Sequence, residues 1–189
     1  MRRPTALALV AVLGAALPAA VEPAVSPPDR IVSFGSLPRG WFEAIPRDVR
    51  KQARIVTLTS GQRLAVAPTR NGNFCEAFRS FGGCRARPGY FRGRIYPMVG
   101  ASTTARNRRV IAIGGSVIAP PDHTLYLVHR DGAVRRLPLT YVTRPIDAGF
   151  FYASIPQNRQ RGPSAPVRIQ LRRGQTVIES QSVGIPPRR

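Results

Sequence analysis

From residue 54 onward, apolar and polar side chains alternate in short runs separated by glycine, proline, asparagine and aspartate, a period-two pattern that predicts β-strands rather than helices. The stretch RIVTLTSGQRLAVAP, residues 54–68, is two such runs about Gly61 and predicts a hairpin, with Ile55, Thr57 and Thr59 on one face and Val56 and Leu58 on the other. NGN at 71–73 predicts a second turn into FCEAF, where the pleat sends Cys75 away from Phe74 and Glu76. The two glycines of GGC, 82–84, then let the chain double back.

The later half is more regular. VIAI (110–113) and SVIA (116–119) flank Gly114 and Gly115, and Pro120 and Pro121 stop the second run. HTLYLVHRDGAVRRLPLTYV, 123–142, is the clearest hairpin, turning at Asp131 and Gly132. GFFYASI (149–155) follows, then a last hairpin about Gly174, in which Val167, Ile169 and Leu171 alternate with Arg168, Gln170 and Arg172 as a buried and a solvated face. About seven short strands without an intervening helix argue for an antiparallel sandwich of immunoglobulin or fibronectin character, an up-and-down barrel being the alternative.

Before the strands, residues 22–40 are rich in proline, serine and glycine and read as a linker. WFEAIPRDVRKQA, 41–53, groups Trp41, Phe42 and Ile45 for a short helix that Pro46 interrupts. The polar stretch 101–109 lacks apolar periodicity, so a domain boundary is expected there, between a small β-meander of 41–100 and a sandwich of 109–187.

The N-terminus begins with Arg2 and Arg3 and an apolar run from Ala6 to Val21, the n-region and h-region of an export leader. The run is short for a membrane span, which favours a cleavable signal over 1–21. Its weak cleavage sites keep a retained anchor open, and a buried helix is the remaining reading. Export changes the chemistry of Cys75 and Cys84, since exported thiols oxidise and an even number usually pairs; one disulfide is expected. A zinc site would need two more ligands, and His123 and His129 lie far along the chain. A catalytic thiolate would need an adjacent base. The expected fold is therefore all-β: a small disulfide-pinned meander followed by an immunoglobulin-like or fibronectin-like sandwich.

Charge narrows the partners. The formal net charge is +20, and the excess of arginine over acid is spread over both halves instead of being gathered on one element. The preference for arginine over lysine reads as genome composition, yet a surface this basic is drawn to anionic polymers and lipid headgroups. Locally, RSFGGCRARPGYFRGR (79–94) interleaves Arg85, Arg87, Arg92 and Arg94 with Tyr90 and Phe91, the combination that a single-stranded nucleic acid or a glycan would use. The opposing reading makes the aromatic rings core and the arginines their solvated neighbours.

Catalytic ingredients are sparse. Ser116, His123 or His129, and Asp122 or Asp131 supply the residue types of a hydrolase triad, but no nucleophile elbow surrounds Ser116 and both aspartates sit in turns. No pair of carboxylates suits glycosidase work, and neither a phosphate-binding glycine loop nor an H-E-x-x-H motif is present. No catalytic, metal or cofactor-binding residue is assigned.

LAVAPTRNGNFCEAF with its nearby GGC, HTLYLVHRDGAVRRLPL and RPIDAGFFYASIP together resemble a group of exported or membrane-anchored proteins of high-GC Gram-positive bacteria. That group shares an APTR-x-G-x-x-C strand, a nearby GC, a DG hairpin and an FF strand ending at proline. The resemblance covers roughly residues 53–185 and implies a two-part β architecture with Cys75 paired to Cys84, and no activity. Here GNF precedes Cys75 where a glycine pair is expected. The sequence thus points to an exported, non-catalytic envelope protein held to an anionic cell-wall polymer or membrane surface by charge. Nucleic-acid binding through 79–94 is the alternative, and an envelope hydrolase the third reading.

Overall fold

The computed structural model describes residues 45–69, 73–79, 81–85, 94–103 and 109–185. The expected leader, the linker, Trp41 and Phe42 lie outside them. The protein is all-β, with three four-stranded antiparallel sheets.

The first sheet is a meander of β1 (Arg54–Thr57), β2 (Arg63–Pro68), β3 (Phe74–Ala77) and β4 (Gly82–Arg85), in that order. The hairpin about Gly61 forms as the pattern predicts: Gly61 takes φ 77°, its N–H donates to the Leu58 carbonyl, and Val56 pairs with Leu64. The glycines of GGC do not make the next turn. They lie within β4, paired with Glu76 and Ala77, and the chain reverses just before them, where the Phe78 N–H donates to the Phe81 carbonyl.

The other two sheets form a sandwich. One holds β5 (Ile95–Thr103), β6 (Arg109–Val117), β10 (Ala148–Ile155) and β9 (Thr140–Val142); the other holds β12 (Thr176–Ser182), β11 (Pro166–Arg173), β7 (Thr124–His129) and β8 (Val134–Leu137). With β5 to β12 read as strands A, B, C, C′, D, E, F and G, the sheets are ABED and GFCC′, the immunoglobulin arrangement with C′ added to the second sheet. Two separate sheets, each with free edges, replace the closed barrel that the sequence left as an alternative. Ile111, Ile113, Val117, Phe151, Ala153 and Ile155 on one side meet Leu125, Leu127, Leu137, Ile169 and Leu171 on the other, as the strand alternation requires.

Two strands escape the sequence pattern. β5 pairs with β6 over nine positions, Ile95 with Val117 through to Thr103 with Arg109, so residues 95–103 belong to a sandwich sheet and the polar stretch at 101–109 joins two paired strands. Pro97 interrupts the strand signal, but it is tolerated because β5 is an edge strand. β6 runs unbroken through Gly114 and Gly115 instead of turning there.

The meander shares its core with the sandwich. Val56, Leu64, Val66, Phe74 and Phe78 pack on Val142, Ile146, Ala148 and Phe150, so the β5-β6-β10-β9 sheet is covered on both faces and the molecule has three sheet layers. Adjacent residues of β10 serve opposite layers, with Phe150 toward the meander and Phe151 toward the partner sheet. Each is fully buried, a contribution of about 1.5–3 kcal/mol apiece. The meander's outer face carries Ala65, Ala67, Cys75 and Ala77 under Ile45 and Val49, and the described part of the predicted helix, from Ile45 on, holds a 3-10 turn at Arg50–Gln52. Thr59 ties the first hairpin to β9, where its N–H donates to Thr140 Oγ1 at 2.9 Å.

Candidate functional site

Cys75 and Cys84 form the expected disulfide, joining directly opposed residues of β3 and β4. Both sulfurs are spent in the bond, so neither is available as nucleophile or metal ligand. Among the described residues, no group of three His, Cys, Asp or Glu side chains is placed to hold a metal.

The structure pairs His123 with Asp122 but engages Ser116, His129 and Asp131 elsewhere. Ser116 is fully buried between the meander and the sandwich, where its hydroxyl donates to Glu76 Oε1 at 3.1 Å. This pairing follows from the pleat: Glu76 and Phe74 share the inward face of β3, and Ser116 and Gly114 the facing side of β6. The His129 ring donates from Nδ1 to the Ser164 carbonyl at 2.7 Å. Asp131 accepts from the Ala133 N–H at 3.0 Å, closing the hairpin turn that Gly132 makes at φ 85°. His123 donates from Nδ1 to Asp122 Oδ1 at 2.8 Å, while Arg173 Nε lies 3.1 Å from Oδ2. The hydrogen bond from His123 holds the Asp122 carboxyl below its ordinary range, and the charges of His123 and Arg173 add to the effect.

Of the arginine and aromatic segment, Arg87, Tyr90, Phe91 and Arg92 lie outside the described residues, and Arg85 is described only as a backbone position of β4. The Arg94 N–H donates to Glu179 Oε2 at 2.5 Å.

A different basic surface does assemble, on the outer face of the β12-β11-β7-β8 sheet. The register stacks three rows across the strands. Val177, Arg172 and Thr124 form the first, Ser180, Gln170, Tyr126 and Arg136 the second, and Ser182, Arg168, Val128 and Val134 the third. All of these point away from the core, because their neighbours Leu125, Leu127, Ile169 and Leu171 point into it. Rows lie about 6.7 Å apart and strands about 4.8 Å apart, so Arg136, Arg168 and Arg172 sit at the corners of a triangle with sides of roughly 12 Å.

Two features make this face more than a solvated sheet. First, none of its positions carries an acid: Glu179, the only acid on these four strands, opposes Leu171 on the inner side and accepts from the N–H groups of Arg94 and of Ile95, the first residue of β5. Second, Arg172 is held in place. Its Nε and Nη2 donate to Gln170 Oε1 at 3.2 and 2.6 Å, and its guanidinium lies 4.8 Å from the Tyr126 ring centroid. That geometry leaves Nη1 and one N–H of Nη2 to meet an oxyanion end-on, with little rotamer entropy still to lose.

The alternation of Arg168, Gln170 and Arg172 was legible as a solvated face. Their union with Arg136 and Tyr126 was not, because it depends on β11 lying beside β7 although residues 130–165 separate them, a distance along the chain that the Ser164–His129 contact also spans. Comparison with protein-family models, with curated proteins and with solved structures finds no match in any of the three.

Proposed function

We propose that this is an exported, non-catalytic, envelope-associated binding protein whose basic surface holds it to an anionic partner. The observation that carries the reading is the acid-free face with Arg136, Arg168 and Arg172, one of them already oriented. The disulfide is consistent with an oxidising extracellular compartment. Among the described residues, no helix is long and apolar enough to cross a membrane.

Three guanidiniums on a flat face without compensating carboxylates attract polyanions through charge, with affinity that falls as salt rises. The test is binding of the mature protein to heparin, to polyphosphate and to phosphatidylglycerol vesicles across a salt series. Arg136→Gln, Arg168→Gln and Arg172→Gln combined should weaken binding about tenfold or more and flatten the salt dependence, since each neutralised contact contributes to the slope. Unchanged binding to all three probes would refute the assignment of this face. Recovery of the protein from the cytoplasm of its host with free thiols would refute export.

A further inference from the structure

Val134, Val177 and Ile178 are the exposed large hydrophobic residues among the described ones, at 46%, 45% and 40% relative exposure, and all three lie on the same sheet as the arginine face. Val177 pairs with Arg172 on β12, and Val134 occupies the same row as Arg168 on β8. They therefore mark diagonally opposite corners of the face, roughly 20 Å apart, with the arginines and Tyr126 between them. Ile178 is the extra residue of a β-bulge, since Leu171 pairs with Glu179 and Arg172 with Val177.

We infer that this face docks on an anionic lipid bilayer, the guanidiniums lying among phosphate headgroups and the corner aliphatic side chains entering the boundary with the acyl chains. The inference rests on the reading of the face as a polyanion site and names its occupant. A hydrated envelope polymer would gain nothing from Val134, Val177 and Ile178, whereas a bilayer offers charge to the arginines and apolar depth to the aliphatic groups within one plane. Single-stranded nucleic acid fits less well. It needs open aromatic rings for its bases, and of the two rings on these strands Tyr126 already has Arg172 stacked on it and His129 donates to the Ser164 carbonyl. Tyrosine beside arginine on a face whose other residues are aliphatic, hydroxylic or, at Gln170, an amide suits the interfacial zone, where an aromatic body and a polar tip are both satisfied.

The test compares the full chain with two triple variants. The first, Val134→Thr, Val177→Thr and Ile178→Thr, keeps β-branched side chains on exposed strand positions, so the fold is retained. The second is the triple arginine-to-glutamine variant. Binding is measured by co-sedimentation with vesicles of phosphatidylglycerol and phosphatidylcholine, by the same assay with phosphatidylcholine alone, and by titration with polyphosphate and a single-stranded oligonucleotide. The expected result is that the threonine variant loses vesicle affinity on the order of tenfold while its polyphosphate affinity is unchanged. The glutamine variant should lose affinity for both. A threonine variant that sediments with vesicles as the parent does overturns the lipid inference but leaves the polyanion reading intact. So does an oligonucleotide that outcompetes the vesicles at equal charge. A parent that is dimeric, ignores lipid and becomes monomeric in the threonine variant overturns it in favour of a second copy. A glutamine variant that binds every probe as the parent does removes the underlying reading itself.

Discussion

At Gly115 the backbone takes φ 152°, and a Cβ built there would lie 2.0 Å from the Tyr96 carbonyl oxygen on β5. Both elements are strands held by ladder hydrogen bonds, so neither can yield without breaking pairing. Gly115→Ala should cost about 3 kcal/mol or more, read as a drop in the urea midpoint, whereas Gly83→Ala, whose Cβ would meet nothing within 4 Å, should stay within about 1 kcal/mol. Equal effects would mean that the close approach of β5 to β6 is not as described. At Tyr141, burial pushes the phenol up to about 12 and the Asp122 charge adds to it, while the hydroxyl donates to the Pro120 carbonyl at 3.1 Å. Because the folded state disfavours the phenolate, this contribution to stability is complete below the ordinary tyrosine value of 10.0 and is lost as pH rises toward about 12. The denaturation midpoint of the parent should therefore fall more steeply between these pH values than that of Tyr141→Phe, which retains the Tyr152 phenol that burial also pushes up. Parallel profiles would sink the assignment.

Single elements show where local signals suffice. The hairpins about Gly61, Gly132 and Gly174 were all readable, because each turn demands a positive φ that glycine supplies and each flanking strand alternates cleanly. β5 was not, because Pro97 and Gly100 both have low strand propensity. Gly100 is needed because Phe81 packs against its backbone, and Pro97 is tolerated because, among the described residues, no strand pairs with the outer edge of β5. The same logic explains β6, where Gly114 makes room for Phe78 and Phe81 from the meander and so looks like a turn only in isolation. The disulfide acts at this scale, closing a sequence separation of 9 between β3 and β4. Its reduction should destabilise by about 2–3 kcal/mol through the gain in unfolded-chain entropy. Hydrogen exchange should report the loss first in β3 and β4, with protection retained in β7 and β11, which the sandwich core holds. Uniform loss across all three sheets would contradict that ordering.

Across the whole molecule, the middle sheet belongs to two cores at once. Removing the Phe150 ring empties the meander side, where Phe74 lies edge-on at 5.6 Å, and leaves Phe151 and the sandwich core in place. Phe150→Ala should cost about 3–5 kcal/mol. The parent is expected to unfold in one calorimetric transition that this variant splits, since among the described residues the meander's inward face packs on a core it shares with the β5-β6-β10-β9 sheet. A parent that already unfolds in two steps would show that the layers are energetically independent. The arginine face is likewise a property of the whole, for Arg136 reaches Arg168 and Arg172 only through the order β8-β7-β11.

Short stretches of sequence were enough to set the β class, the local hairpins, the alternation that separates inward from outward side chains, and the pairing of two nearby cysteines. All of these depend on neighbours within a few residues, where pleat geometry and turn sterics leave few choices. Long-range packing set the rest: Ile95 opens a sandwich strand, Ser116 meets Glu76, the meander lies on the sandwich, and the basic residues of β8 and β11 share a face with exposed valines at its corners. Those are pairings between segments tens of residues apart, chosen by how three layers jointly bury their apolar faces, and no window of local sequence contains that information.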